Sequence, residues 1–378
     1  MSGNPLVALG ASGQSPWLDY IHRGMIVSGE LGRRIAEDGI RGVTSNPTIF
    51  QKAVSSGKDY DAQILALAKG RVPLPEAYKR IVTDDIRAAA DILRPVYNAS
   101  GGEDGYISLE VDPDLARDTG ATIARARELF DAVGRPNVMI KIPGTKEGLP
   151  AVEETIASGV PVNVTLIFSV LRYADVAGAY MKGLERLLAA GGDLRKVASV
   201  ASFFVSRVDT AVDPLLMSVV TRWPGSPKAE TAQSLLGEVA VANARLAYGR
   251  FGEFLETPRW KALAARGARK QRPLWASTGT KNPRYSDVKY VEELIGPDTV
   301  NTMPPQTMDA FRDHGAVADA LAGSVPEAKE VLGELGLLDI GIEEVCGRLE
   351  DEGVQSFLDS HRKLLAAIEG RLAGASAR

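Results

Sequence analysis

Eight short apolar runs alternate with helix-like stretches over the first three hundred residues, and this alternation limits the fold more than any other feature. The runs are Trp17–Ile21, Gly42–Thr44, Tyr106–Glu110, Val138–Lys141, Val162–Thr165, Val197–Ser202, Leu274–Ser277 and Thr299–Asn301. Between them, Ala116–Val133 and Ser169–Leu188 carry apolar residues at helical spacing. Strand–helix repetition makes neighbouring strands parallel, because each crossover helix returns the chain to the same end of the sheet. Eight such units predict an α/β fold, a closed (β/α)8 TIM barrel. The connections 45–105 and 203–273 exceed an ordinary crossover and are expected to hold additional helices. From Pro305 to Arg378 the periodicity is helical, without a strand. The chain reads as a single domain over 1–378, with the barrel at about 14–304 and a helical extension at about 305–378. The last residues, Ala373–Arg378, are expected to fray.

Composition removes several functional classes. The net charge is −4, with no basic block or aromatic-rich basic stripe, which argues against nucleic acid as a partner. No apolar run is long enough for a membrane span, and the N-terminus shows no secretory pattern. Cys346 is the single cysteine, so no internal disulfide forms and a cytoplasmic setting is expected. His22, His314 and His361 are far apart and none has a metal-ligand spacing partner; no metal and no organic cofactor is expected. The glycine-rich dinucleotide and P-loop patterns and the hydrolase elbow are missing.

Chemistry concentrates where the strands end. In Val138-Met-Ile-Lys-Ile-Pro-Gly-Thr145 the alternation places Met139 and Lys141 on one face and Val138, Ile140 and Ile142 on the other. Burying an ammonium is costly, which favours the neutral amine, a nucleophile toward carbonyl carbon. Taken alone, this run is more simply read as an edge-strand lysine snorkelling to solvent. The other runs, however, also end in polar residues: Asp19, Thr44-Ser45-Asn46, Glu110, Asn163 with Thr165, Ser202, Ser277 and Asn301. Each has a dull explanation as a turn or a helix start. Together they are costly to bury without a purpose, and active sites of this fold collect at the carboxyl ends of the strands. One lysine, two carboxylates and several hydroxyl and amide groups suit Schiff-base chemistry, in which an iminium accepts electrons when a neighbouring carbon–carbon bond breaks.

Seven segments, in order, carry a resemblance. They are Gly42-Val-Thr-Ser-Asn-Pro-Thr-Ile-Phe50, Ser108-Leu-Glu-Val-Asp-Pro113, Val138–Thr145, Val162-Asn-Val-Thr-Leu-Ile-Phe-Ser169, Ala201-Ser-Phe-Phe-Val-Ser-Arg-Val-Asp209, Trp275-Ala-Ser-Thr-Gly-Thr-Lys281 and Asn301-Thr-Met-Pro-Pro305. Over essentially the whole barrel the chain resembles a transaldolase. Its opening, Gly13-Gln-Ser-Pro-Trp-Leu-Asp-Tyr20, is similar to the bacterial subfamily with a Trp-Leu-Asp start, which includes forms fused to glucose-6-phosphate isomerase. No isomerase domain is expected in this length of chain.

The resemblance implies an enzyme of the non-oxidative pentose phosphate pathway. It would move a dihydroxyacetone unit from sedoheptulose 7-phosphate or fructose 6-phosphate to glyceraldehyde 3-phosphate or erythrose 4-phosphate. Lys141 would form the Schiff base. Asp19 would take the proton from the C4 hydroxyl, and Glu110, through a water held with Thr165, would move protons in carbinolamine formation and dehydration. Asn46, Asn163 and Ser202 would bind the dihydroxyacetone fragment, and Phe204 would line the pocket. Arg207 would bind the substrate phosphate. Many members have an arginine soon after the seventh strand; this chain has Ser277-Thr-Gly-Thr-Lys281 there, where Lys281 is either a substitute phosphate ligand or a solvated loop lysine.

Two other functions stay open: an aldolase that releases free dihydroxyacetone, like fructose-6-phosphate aldolase, and a catalytically silent barrel that binds sugar phosphates. The sequence leaves monomer and homodimer open as well.

Overall fold

The computed structural model describes residues 3–376. Eight parallel strands close a barrel in chain order: β1 (Gln14–Leu18), β2 (Gly42–Thr44), β3 (Tyr106–Glu110), β4 (Val138–Pro143), β5 (Val162–Ile167), β6 (Ser199–Phe204), β7 (Gln271–Ala276) and β8 (Thr299–Met303). β8 pairs with β1, Gln14 beside Thr299 through Leu18 beside Met303, so neither strand keeps an open edge. Every strand residue is buried, because the helices cover the outside and side chains fill the inside.

The sequence places β2 and β3 at their observed limits. The first run is corrected: the strand is Gln14–Leu18, and Asp19 is the first residue beyond it. The last two residues of the sixth strand, Phe203 and Phe204, extend past the expected Val197–Ser202, and the seventh strand ends at Ala276, one residue before Ser277. Apolar content marks a buried strand but does not distinguish its last pairing residue from the start of its loop.

Both long connections hold helices. Residues 45–105 contain Pro47–Ser56, Asp61–Lys69 and Leu74–Ala99; residues 203–273 contain Ser206–Arg222, Pro227–Ser234, Val239–Glu256 and Pro258–Ala264. After β8 come Pro305–His314, Val325–Leu337 and a 35-residue helix, Ile342–Ser376. This C-terminal helix is continuous through Ser376, so Ala373–Ser376 are helical rather than frayed; Ala377 and Arg378 lie outside the described residues.

Buried polar groups sit at both ends of the barrel. At the amino end, Asp104 accepts from Ser15 Oγ (2.8 Å), Trp17 Nε1 (3.3 Å) and Arg272 Nη2 (2.9 Å). Burial raises its pKa, but the Arg272 charge and these hydrogen bonds outweigh burial and leave the carboxyl below the usual range. Gly42 is required beside this plug, since a Cβ there would sit 2.3 Å from the Trp17 indole. At the carboxyl end, Glu110 Oε1 and Thr165 Oγ1 are buried without a hydrogen-bond partner among the described residues; at the amino end the same holds for Gln14 Oε1, Asn137 Oδ1 and Gln271 Oε1. Orphaned polar groups are costly, and at the carboxyl end, where active sites of this fold collect, they point to a ligand site.

Candidate active site

Strand register assembles the centre of the site. Glu110 on β3 is beside Lys141 on β4, and Lys141 is beside Asn163 on β5. Three neighbouring strands therefore place a carboxyl, an amine and an amide in one row facing the barrel interior. Lys141 Nζ is 3.3 Å from Glu110 Oε2 and donates to the Ser45 carbonyl at 3.3 Å. Both side chains are about 4–5% exposed. Burial pushes the Glu110 carboxyl up to about 7; the Lys141 charge opposes the rise and Asp19 adds to it. A carboxyl that titrates near neutrality can both give and take a proton at working pH.

β5 carries a local irregularity next to this row. Its register with β6 shifts between Val164 and Ile167, and Leu166 has φ of +58°. Such a bulge re-aims the side chains beside it. Thr165, fully buried, is one of the orphaned hydroxyls. Asn163 accepts from Ser202 Oγ at 2.6 Å through Oδ1 and donates to Ser108 Oγ at 3.0 Å through Nδ2.

Asp19 stands on the other side of the mouth. Its Oδ1 accepts from Thr44 Oγ1 at 2.6 Å, and Thr44 Oγ1 is also 2.6 Å from Thr302 Oγ1. Thr44 has one hydroxyl proton; given to Asp19, it leaves Thr302 as the donor to Thr44. Burial raises the Asp19 pKa, opposed by Lys141, the Thr44 hydrogen bond, Lys281 and Arg207.

These groups surround a cavity of about 590 Å³. Asp19, Asn46, Lys141, Ser202, Phe204, Arg207, Ser277 and Lys281 all line it. Glu110, Asn163 and Thr165 do not; they lie beneath its surface. Asn46 caps the helix Pro47–Ser56, accepting from Ile49 N at 3.0 Å. Arg207, in the first turn of Ser206–Arg222, stacks over Phe204 with its guanidinium carbon 5.5 Å from the ring centroid. Burial lowers its pKa from the ordinary arginine value, opposed by Glu352 and Asp19. Ser277 follows β7 with φ of +57° and pairs its hydroxyl with Ser206 at 3.0 Å. Lys281 is exposed in the loop beyond it.

Two carboxylates connect that loop to the arginine-bearing helix. Asp209 Oδ2 accepts from Tyr290 OH (2.8 Å), and Asp213 Oδ2 accepts from Tyr285 OH (2.7 Å). Their other oxygens accept from the backbone of Ala240 (2.7 Å) and Gly237 (3.1 Å). Helix Ser206–Arg222, loop 277–290 and the start of Val239–Glu256 are thereby joined. Among the described residues, no group of three or more His, Cys, Asp or Glu is placed to hold a metal ion. No helix among them is long and apolar enough to cross a membrane.

Residues 16–368 match the family described as Transaldolase/Fructose-6-phosphate aldolase. The chain belongs to that family. A transaldolase of Parafrankia sp. is 51% identical over 373 residues, spanning 98% of this chain and 99% of the relative. Transaldolase 1 of Streptomyces avermitilis is 51% identical over 373 residues, spanning 98% and 97%. Transaldolase 2 of Nostoc sp. is 47% identical over 375 residues, spanning 98% of each. The activity is that of a transaldolase.

Sequence reasoning missed several residues of this transaldolase cavity, among them Thr302, Gln306 and Phe357. Thr302 lies one residue beyond the expected Thr299–Asn301 run, and period-two alternation puts it with Val300, on the face opposite to Asn301. Phe357 belongs to the C-terminal helix, where its apolar spacing is that of a core residue and nothing in the pattern shows which part of the barrel it meets.

Proposed function

We propose that the chain moves a dihydroxyacetone unit from sedoheptulose 7-phosphate or fructose 6-phosphate to glyceraldehyde 3-phosphate or erythrose 4-phosphate, in the cytoplasm and within the non-oxidative pentose phosphate pathway. The observation that carries this reading is the buried Lys141–Glu110 pair, 3.3 Å apart at the base of the cavity. Lys141 attacks the ketone carbon of the donor. Glu110 moves protons while the carbinolamine forms and loses water, using the oxygen that it and Thr165 leave unpartnered. Asp19 takes the proton of the C4 hydroxyl as the C3–C4 bond breaks, and the iminium draws the electrons. The fragment stays on Lys141 until an aldehyde arrives; Asp19 then returns the proton.

Asn46 and Ser202 hold the fragment's hydroxyls. Asn163 acts through Ser202, whose hydroxyl it accepts and which itself faces the cavity. Phe204 supports Arg207, which binds phosphate together with Lys281 and the Ser277–Gly279 backbone. Barrel and helical extension act as one domain. The test is reduction with borohydride during incubation with fructose 6-phosphate, followed by mass spectrometry. A three-carbon adduct on Lys141 is expected, and its loss in Lys141→Arg; an adduct on another lysine would sink the assignment.

A further inference from the structure

Asp19 is held from two strands at once. The barrel closes with β1 between β2 and β8, and Asp19 follows β1 directly. Its backbone N–H donates to the Met303 carbonyl at 2.8 Å, which fixes it to the end of β8. Thr302, the residue before Met303, pairs in register with Trp17. Thr44 ends β2. The two threonine hydroxyls meet inside the barrel, Thr302 Oγ1 lying 2.6 Å from Thr44 Oγ1, and Thr44 Oγ1 is 2.6 Å from Asp19 Oδ1. Thr44 and Thr302 are only 2% and 3% exposed, yet both line the cavity. Thr302 is itself anchored: its carbonyl accepts from Thr278 Oγ1 at 3.2 Å, and that hydroxyl also meets Asn301 Oδ1 at 3.0 Å.

The proton count gives this row a direction. An ionised carboxylate only accepts, and each threonine has one hydroxyl proton. With Asp19 ionised, Thr44 donates to Oδ1 and Thr302 donates to Thr44. A hydroxyl that receives a hydrogen bond is polarised into a stronger donor, and a bond to a charged acceptor is stronger than one between neutral groups. The reversed order would turn the Thr44 proton toward Thr302 and leave Oδ1 against a lone pair, which is costly beside a carboxylate.

We propose that Thr302 is a positioning residue for carbon–carbon bond cleavage: acting through Thr44, it keeps a donor on Asp19 Oδ1, so that Asp19 meets the substrate ionised and takes the proton on Oδ2. The inference rests on the reading of Asp19 as the base. In cleavage the O–H bond of the C4 hydroxyl breaks and its proton passes to Oδ2. C4 and its oxygen become a carbonyl, and the electron pair of the C3–C4 bond moves into the iminium. Oδ1 is then the carbonyl oxygen of a carboxylic acid and still accepts from Thr44, so neither hydroxyl has to turn. The same row serves the reverse step, in which Oδ2 gives the proton to the oxygen of the incoming aldehyde. Burial opposes the ionised form of Asp19, while Lys141, the Thr44 hydrogen bond, Lys281 and Arg207 support it; Glu110 is the other carboxyl whose charge it feels. Thr302 strengthens the one support that is a hydroxyl.

The test uses single turnovers with fructose 6-phosphate over a series of pH values. Total borohydride adduct reports Schiff-base formation, and release of glyceraldehyde 3-phosphate reports cleavage. Thr302→Val keeps the shape and deletes the hydroxyl. Adduct formation should run at the wild-type rate. The acid limb of cleavage should move to higher pH by a few tenths of a unit, because a weaker donor on Oδ1 lets burial raise Asp19 further. The loss is therefore about twofold at acid pH and shrinks as pH rises. Thr302→Ser restores the hydroxyl and should restore the limb. Thr44→Val should move it by about one unit. In that background Thr302→Val should add nothing, since a residue acting through another is silent once the other is gone. Thr302→Ala deletes the same hydroxyl and answers the same question should the valine variant not fold. A wild-type limb in the folded variants, a loss equal at every pH, or shifts that add in the double variant would overturn the proposal. A wild-type chain that traps no adduct on Lys141 fails the Schiff-base reading, and Asp19→Ala cleaving at the wild-type rate fails Asp19 as the base. An unmoved limb with both of those intact fails Thr302 alone.

Discussion

In the mechanism proposed above, Lys141, Glu110 and Asp19 divide the work because their surroundings differ. Glu110 is sealed against the lysine, with burial lifting its carboxyl to about 7. Asp19 faces the open cavity and accepts a hydrogen bond from Thr44 at 2.6 Å. Glu110 can exchange protons only at the nitrogen side of the substrate, and Asp19 only at the cavity side. Asp19→Ala should therefore still accumulate the borohydride adduct but cleave slowly, while Glu110→Ala should slow adduct formation itself. Each loss should be about a hundred- to ten-thousand-fold. Single-turnover trapping distinguishes them, and the reverse pattern would exchange the two roles. Both carboxylates are legible in the sequence, although the run read as Trp17–Ile21 put Asp19 inside it and the structure puts Asp19 just past the end of β1. The sequence does not show that Glu110 and Thr165 lie below the cavity while Asp19 borders it. That depth comes from the bulge in β5 and from the helix covering the β3–β5 side, and both are tertiary facts.

Helices and loops set the end of the site where phosphate binding is proposed. Arg207 begins the helix Ser206–Arg222, and Lys281 lies in a loop that Tyr285 and Tyr290 fasten to that helix. Tyr285→Phe removes one hydrogen bond and leaves the ring. It should raise KM for fructose 6-phosphate several-fold, with kcat little changed and kcat/KM for unphosphorylated fructose unmoved. Arg207→Ala should show the same split more strongly. Equal losses on both donors in Tyr285→Phe would mean that the loop is tied down for stability only. Local patterns report such elements unequally. Asn46-Pro47 announces a helix start through a capping residue and a proline, and a helix begins there. The Asp–Tyr pairs join residues more than seventy positions apart, and no local period encodes that partnership.

Across the whole molecule, the balance of buried charge predicts a pH dependence of stability. Burial raises both Glu110 and Asp209 to about 7. A carboxyl with a raised folded pKa favours the folded state below its unfolded pKa, and that contribution is lost as pH rises through the folded value. Between pH 5 and 8 these two groups should lower Tm by a few degrees. His361 works the other way, because burial lowers its pKa and folding then gains as pH rises past the ordinary histidine value. Asp104, held below the usual carboxylate range, adds no slope in that window. Melting curves of Asp209→Asn isolate one share: the decline from pH 5 to 8 should be shallower than in the wild type, and an identical slope would refute it. The barrel as a whole is legible in the alternation of strands and helices. The course of the last helix is not, since an amphipathic segment without a strand partner has no register to fix it.

That last helix also orders events during synthesis. β1 cannot pair with β8 until residue 303 has been made, and the wall beside Lys141 arrives only with residue 357. A nascent chain halted between these points has all eight strands but not the helix that carries Phe357 into the cavity wall.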